Sequence, residues 1–242
     1  IRRVDVDIQV PAQASKSVTF GEAIEADYRI QNVVVEDGGV SFSIDHDFSR
    51  WNNIRIEMPG MHNVMNATAA FLAAHFAGVS IDSIRASLST FGGVKRRFEY
   101  IYKNENLVYV DDYAHHPTEL EALLKAVRMV FPGKKVATIF QPHLYTRTRD
   151  FMNEFAQSLA LTDELLLMDI YPARELPIEG ITSEALLELI PSKNKKVVTK
   201  DSLLHELEKL NYDVVVTAGA GDIDRFIQPI KMLCENKYGK GK

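Results

Sequence analysis

Two hydrophobic rhythms divide the chain. Up to about residue 58, short runs rich in β-branched and aromatic residues, SVTFG (17–21), DYRIQNVVVE (27–36) and VSFSIDH (40–46), surround a turn signal at Asp37-Gly38-Gly39. This alternation predicts β-hairpins. An Ala-rich apolar run follows with helical spacing from His62 to Ala77, and a second helix is predicted from Ser80 to Ser89, its start marked by Ser80 and Asp82. Gly92-Gly93 then breaks the pattern.

Beyond Arg97 the rhythm becomes regular. LVYVDD (107–112), KVATIFQ (135–141), ELLLMDI (164–170), KVVTK (196–200) and DVVVTAG (213–219) are short apolar runs separated by helical stretches. Five strands alternating with helices predict a parallel, doubly wound α/β sheet of Rossmann-like type. It is preceded by a smaller α/β segment carrying the hairpins. The boundary is expected near residues 93–97, giving domains at 1–95 and 96–242.

In such a sheet ligands bind beyond the carboxyl ends of the strands. The residues to read are therefore Asp111-Asp112-Tyr113-Ala114-His115-His116, Gln141 through Arg147, Tyr171 through Glu175, and Ala218 through Asp222. Three of these four stretches are rich in ionisable side chains, where a connecting loop more often uses Gly, Asn and Ser.

Composition narrows the class without naming it. The 242 residues are 46% hydrophobic and 25% charged, with 28 Lys and Arg against 33 Asp and Glu, a net charge of −5. Such a balance fits a folded soluble chain and gives no reason to expect nucleic acid as a partner. No apolar run reaches the ~18 residues of a membrane helix, and one cysteine, Cys234, cannot form an internal disulfide. A cytoplasmic protein with no membrane partner is expected. The chain opens at Ile1 on a strand-like run, IRRVDVDIQV, rather than at Met, and is expected to be a piece of a longer protein.

The chemistry can be read in more than one way. Asp111, Asp112, His115 and His116, with a contributed His143, have the donor types of a divalent metal site, while an Asp after a strand can instead accept from ribose hydroxyls. A bland reading has one Asp capping the next helix or pairing with an Arg. On QPHLYTRTRD (141–150), His143, Arg147 and Arg149 suit a phosphate or carboxylate, although Arg149 is better accounted for by Asp150 and Glu154. Asn63 and Asn66 share a helix face and could meet the edge of an adenine ring, or Asn63 could simply be an N-cap. Lys95-Arg96-Arg97 could face a phosphate or be solvated. No G-x-x-x-x-G-K-[ST] loop occurs, and GAGD (219–222) reads as a tight strand-to-helix turn rather than a dinucleotide fingerprint.

Together, PGMHNVMNATAA (59–70), FGGVKRRFE (91–99), VDDYAHHPTE (110–119) and FQPHLYTRTRDF (140–151), supported by YPARELPIEG (171–180) and AGAGDI (218–223), occur in an order that resembles the Mur ligases of bacterial peptidoglycan synthesis. The DYAHHPTE and QPHxYTRT pair is similar to the L-alanine-adding member of that family. The resemblance implies three domains, of which this chain would carry the last part of the central ATPase domain, without its P-loop, and the whole C-terminal domain that closes over the nucleotide. It implies an ATP-dependent joining of L-alanine to the carboxylate of UDP-N-acetylmuramate through an acyl phosphate, with Mg²⁺ held mostly by upstream residues. The 242 residues alone are expected to be inactive.

Residue by residue, Asn63 and Asn66 resemble adenine contacts, Arg97 a phosphate-reaching arginine, and Asp112 the ribose-binding acid, with Asp111 as fallback. Tyr113, His115, His143 and Arg147 resemble residues lining the cleft. No metal ligand is assigned within the chain. Leu144 stands where the family pattern has Arg, and Arg147 or Arg174 could take over that contact. A metal-dependent hydrolase built on Asp111, Asp112, His115 and His143, and a non-catalytic nucleotide-binding module, are the competing readings.

Overall fold

A computed structural model describes residues 2–3, 17–36, 38–47 and 49–241. The chain folds as two units, Ile1–Gly93 and Val94–Lys242.

In the first unit five strands, β1 (Arg2–Arg3), β2 (Thr19–Gly21), β3 (Tyr28–Glu36), β4 (Gly39–His46) and β5 (Ser49–Ile56), lie in sequence order. β3 and β4 form the hairpin that the alternation predicts, and β5, which the predicted runs do not include, extends it to an antiparallel meander; Asp37 of the turn signal lies outside the described residues. β2 departs from the hairpin reading because it runs parallel to β3. The Asp27 carboxylate accepts from both the backbone N–H and the hydroxyl of Thr19 at 2.7 and 2.9 Å, tying the start of β2 to the residue just ahead of β3, so both strands leave from one end. Of the strand-like run at the start only Arg2–Arg3 lies within the described residues.

Helices α1 (Met61–Phe76) and α2 (Ile81–Thr90) cover this sheet, burying Val64, Phe71, Leu72 and Ile84 against Val40, Phe42, Ile44 and Ile54. The Ser80 side chain accepts from Ser83 N–H, capping α2 as its sequence predicts. Asn63 is not the cap of α1: that position belongs to Gly60, at φ 103°.

The second unit has six strands, β6 (Glu99–Lys103), β7 (Val108–Asp112), β8 (Val136–Phe140), β9 (Glu164–Met168), β10 (Lys195–Val198) and β11 (Val214–Ala218). They are ordered β10-β9-β8-β11-β7-β6, all parallel except the antiparallel edge strand β6. The five expected strands are present, and β6 is the addition. Its residues EYIYK are mostly half-buried and their register slips between Tyr100 and Tyr102, so the run lacks the continuous apolar signature of its fully buried neighbours.

Alternation along the central strands feeds two layers. Val108, Val110, Val214, Val216, Leu165 and Leu167 face helices α3 (Pro117–Val130), α5 (Met152–Leu159) and α6 (Ser183–Leu189). Tyr109, Val215, Ile139 and Leu166 face α7 (Leu203–Lys209) and α8 (Ile227–Tyr238). Cys234 of α8 is wholly buried in this second layer, and burial pushes its thiol up to about 11. No helix of the described residues is long and apolar enough to cross a membrane.

What positions the site is register. Asp112 pairs with Ala218, Ala218 with Phe140, and Phe140 with Leu167, so β7, β11, β8 and β9 end at one level and their following loops leave the sheet side by side.

Candidate active site

Four loops rise from that level edge, and four non-glycine residues adopt positive φ within them or just before β6: Arg96 (58°), Phe98 (49°), Leu144 (73°) and Ala173 (50°). In the second unit these are the only such residues among those described. Backbone strain of this kind persists where the surroundings over-determine it, and it clusters at functional sites.

Under the loops lies a buried charge system. Asp111 is fully buried, and its oxygens accept from Arg96 Nε at 2.9 Å and from the Thr217 hydroxyl at 2.6 Å. Arg96 also donates to Gly219 O at 2.8 Å and lies 5.2 Å from the centre of the Tyr113 ring. Burial raises the Asp111 pKa, against the pull of Thr217 and Arg96. The basic triplet is therefore split: Arg96 is turned inward as a structural partner, while Lys95 and Arg97 are exposed. Gly219 is required here, since at φ 145° a Cβ would lie 2.8 Å from Gln141 O. The GAGD stretch is thus the tight turn its sequence suggests.

Asp112 is also buried, and its two oxygens accept the backbone N–H groups of Phe98 (2.7 Å) and Ala114 (2.8 Å). This geometry makes it a clamp, pinning the strained 96–98 segment against the loop that carries Tyr113 and His115. Burial raises Asp112 to about 6, opposed by those two N–H groups and by the charge of Arg97. A raised folded-state pKa favours the fold below the ordinary carboxylate range, and that contribution fades as pH rises from about 4 to about 6. A carboxyl-carbon titration by NMR is expected to show the Asp112 midpoint near 6. A midpoint near ~4 would show that the N–H groups outweigh burial.

Neither aspartate caps α3. That position is taken by His116, whose Nδ1 accepts from Thr118 N–H while Glu119 accepts the backbone N–H groups of His115 and His116, a capping box with Pro117 as the first helical residue. His115 Nδ1 lies 3.2 Å from Glu119 and its ring meets His143 edge-on at 5.8 Å. Tyr113, 39% exposed, meets the His115 ring at 5.2 Å.

His143 stacks on Tyr171 at 5.6 Å. Burial, then the positive charge of Arg147, lower its pKa below the usual imidazole value, so the neutral ring is favoured at pH 7. His143 Nδ1 and one terminal nitrogen of Arg147 are buried without a hydrogen-bond partner. Buried polar groups are rarely left so. Arg147 lies on α4 (Tyr145–Asp150), where Arg149 instead pairs with Asp150 at 2.7 Å.

The second unit thus brings together Tyr113, His115, His143 and Arg147 above a base formed by Asp111, Asp112 and Arg96. In the first unit, Asn63 donates to Pro59 O at 2.8 Å and is buried, while Asn66 is exposed. Both line a pocket of about 390 Å³ with Ile56, Met58, Ala67 and Leu88, largely apolar walls with two amides. No three His, Cys, Asp or Glu side chains among the described residues gather where they could hold a metal ion. Asp111 and Asp112, which a metal-dependent hydrolase would need, are committed to Arg96, Thr217 and backbone N–H groups.

Family models settle the relationship. Residues 96–221 match the Mur ligase glutamate ligase domain, and residues 4–74 match the Mur ligase middle domain. The chain belongs to the Mur ligase family. Over 240 residues, 99% of this chain, it is 87% identical to a UDP-N-acetylmuramate–L-alanine ligase from Cytophaga hutchinsonii and spans 52% of that protein. A crystal structure of a UDP-N-acetylmuramate–alanine ligase from Thermotoga maritima superposes with a TM-score of 0.76 at 25% identity, over 91% of this chain and 48% of that one. An ADP-bound Mur ligase from Thermotoga maritima shares the fold, with a TM-score of 0.67 at 18% identity, over 91% of this chain and 49% of that one. The chain spans about half the length of the curated Mur ligases it matches.

Proposed function

We propose that this chain provides nucleotide- and substrate-binding parts of a cytoplasmic ligase that joins L-alanine to the lactyl carboxylate of UDP-N-acetylmuramate, with ATP converted to ADP and phosphate. What carries the reading is the buried, unpartnered pair of polar groups on His143 and Arg147, at the level end of the sheet in a chain 87% identical to a ligase so named. These are donors and acceptors set in place before any ligand arrives.

A carboxylate is a poor electrophile. One of its oxygens attacks the γ-phosphorus and ADP leaves, giving an acyl phosphate; the amine nitrogen then attacks the acyl carbon, and phosphate leaves with the bonding pair. Arg147 supplies a fixed positive charge to the oxygens on which negative charge develops. Neutral His143 can take the proton that the L-alanine ammonium group must lose before its nitrogen attacks, with Tyr171 behind it and His115 at its edge to fix its ring. Arg97, exposed beside the loop that Asp112 pins, serves the phosphates. Tyr113 offers a ring and hydroxyl to the nucleotide. In the first unit Asn63 and Asn66 present amides at the edge of a pocket suited to an adenine ring. Asp112 acts by holding this framework, since both its oxygens are engaged. Mg²⁺ would neutralise phosphate charge when bound, and the described residues bring no three His, Cys, Asp or Glu side chains together to hold it.

The test is phosphate release from ATP with UDP-N-acetylmuramate and L-alanine. It compares the 242-residue chain with one extended by the upstream half of the Cytophaga hutchinsonii relative. Release is expected in the extended chain only, and only with all three substrates. A well-folded extended chain that stays silent would refute the reading; a 242-residue chain that turns over by itself would refute its dependence on upstream residues.

A further inference from the structure

Helix α4 begins badly. Its cap position is Leu144, at φ 73° and ψ 133°, with no side chain able to accept from the exposed N–H groups of the first turn. The deficiency is met from a loop 29 residues further on. The Glu175 carboxylate accepts the Thr146 backbone N–H at 3.0 Å through one oxygen and the Thr146 hydroxyl at 2.5 Å through the other. Around that contact the two loops are stitched together. Leu144 N–H donates to Tyr171 O at 2.9 Å, Tyr171 N–H donates to Pro142 O at 2.8 Å, and the His143 ring stacks on Tyr171. The two groups left without partners, His143 Nδ1 and the terminal nitrogen of Arg147, flank Thr146 on the segment so held.

We propose that Glu175 is a positioning residue for the ligase reaction, acting as a cap supplied from another loop that fixes the strained start of α4 and so aims Arg147 and His143 at the substrate. This rests on the function proposed above. A negative charge at the N-terminal turn also complements the helix dipole, and it is retained through neutral pH because the Thr146 hydroxyl and N–H hold the Glu175 pKa below the usual range. The loop that provides this cap leaves its neighbours Arg174 and Leu176 exposed, Leu176 at 84%.

The experiment is a double-mutant cycle in the extended enzyme, with hydrogen exchange on the 242-residue chain. Glu175→Ala is expected to lower kcat/KM about fivefold to tenfold, the rate equivalent of one lost cap. Glu175→Gln, whose amide oxygen can still accept one bond, should recover most of it. With Arg147→Ala already present, Glu175→Ala should cost clearly less than it does alone, because the part of its effect transmitted through Arg147 is gone and only the part through His143 remains. Losses that multiply, or a Gln variant as impaired as Ala through the L-alanine KM alone, would overturn the proposal; the latter would make Glu175 a direct ligand of the ammonium group. Independently of turnover, Glu175→Ala should speed Thr146 amide exchange while core amides of β8 and β11 stay protected, and unchanged Thr146 protection would also overturn it. An inactive wild-type extended enzyme would instead count against the function, leaving the exchange result to judge the cap.

Discussion

Replacing Arg96 with alanine is expected to destabilise the second unit by about 3 kcal/mol at pH 8, the lower end for breaking a buried ion pair by removing one partner. The reason is asymmetric. Asp111 has no exposed surface and keeps only Thr217 as a side-chain donor once the guanidinium is gone, and Gly219 O loses its side-chain donor as well. Arg96 is itself 18% exposed, which is why the upper end of the range is not expected. For a unit of this size the loss corresponds to roughly 6–12 °C in melting temperature. Its pH dependence is diagnostic. The Asp111 pKa is already raised by burial, and Arg96 is one of the groups that pull it down. Without Arg96 the carboxyl holds its proton to higher pH, so the deficit should shrink as the solution is acidified and grow as the pH rises through neutrality. Urea unfolding of both proteins at pH 5 and pH 8 measures this. A deficit under ~1 kcal/mol, or one flat with pH, would mean that the pair is weak in the manner of a surface ion pair.

The largest effect on catalysis is expected at Arg147. In the extended enzyme Arg147→Ala should cut kcat by about 100-fold or more, the scale for removing one preorganised donor aimed at developing charge. Its melting temperature should stay close to wild type, because the lost nitrogen has no partner in the fold to miss. Arg147→Lys should restore little, since a compact ammonium does not reproduce a planar fork of donors. Steady-state rates with each substrate varied in turn separate the cases. A rise in the KM for one substrate with kcat intact would show that Arg147 binds ground state and transition state alike.

How far these features could be read in advance depended on whether their causes were local. The apolar runs of β7, β8, β9 and β11 are legible because strands buried on both faces leave few polar positions, and knowing where such strands end already singles out His143, Arg147 and Tyr113. β5 is less legible because its residues SRWNNIRI are largely exposed and Asn53 takes a positive φ. The basic triplet looks uniform in sequence. It is divided only by positive φ at Arg96 and Phe98 and by an acid fifteen residues further on. His116 as helix cap did leave a signal, Pro117 followed by Glu119 in capping-box spacing, but an adjacent pair of aspartates and a second histidine invite a chemical reading instead. The Glu175 cap left none, because nothing near Thr146 shows that its acceptor arrives from a loop beyond the next strand.

Cys234 has a practical use. It is the sole thiol of the chain, enclosed in the core and protonated at neutral pH because burial lifts it to about 11, so maleimide dyes should pass it by. These 242 residues are therefore already a blank background for site-directed labelling. A Leu176→Cys substitution, at a side chain 84% exposed and next to Glu175, would place a single fluorophore on the loop that braces α4, where a change in emission would report the arrival of substrate.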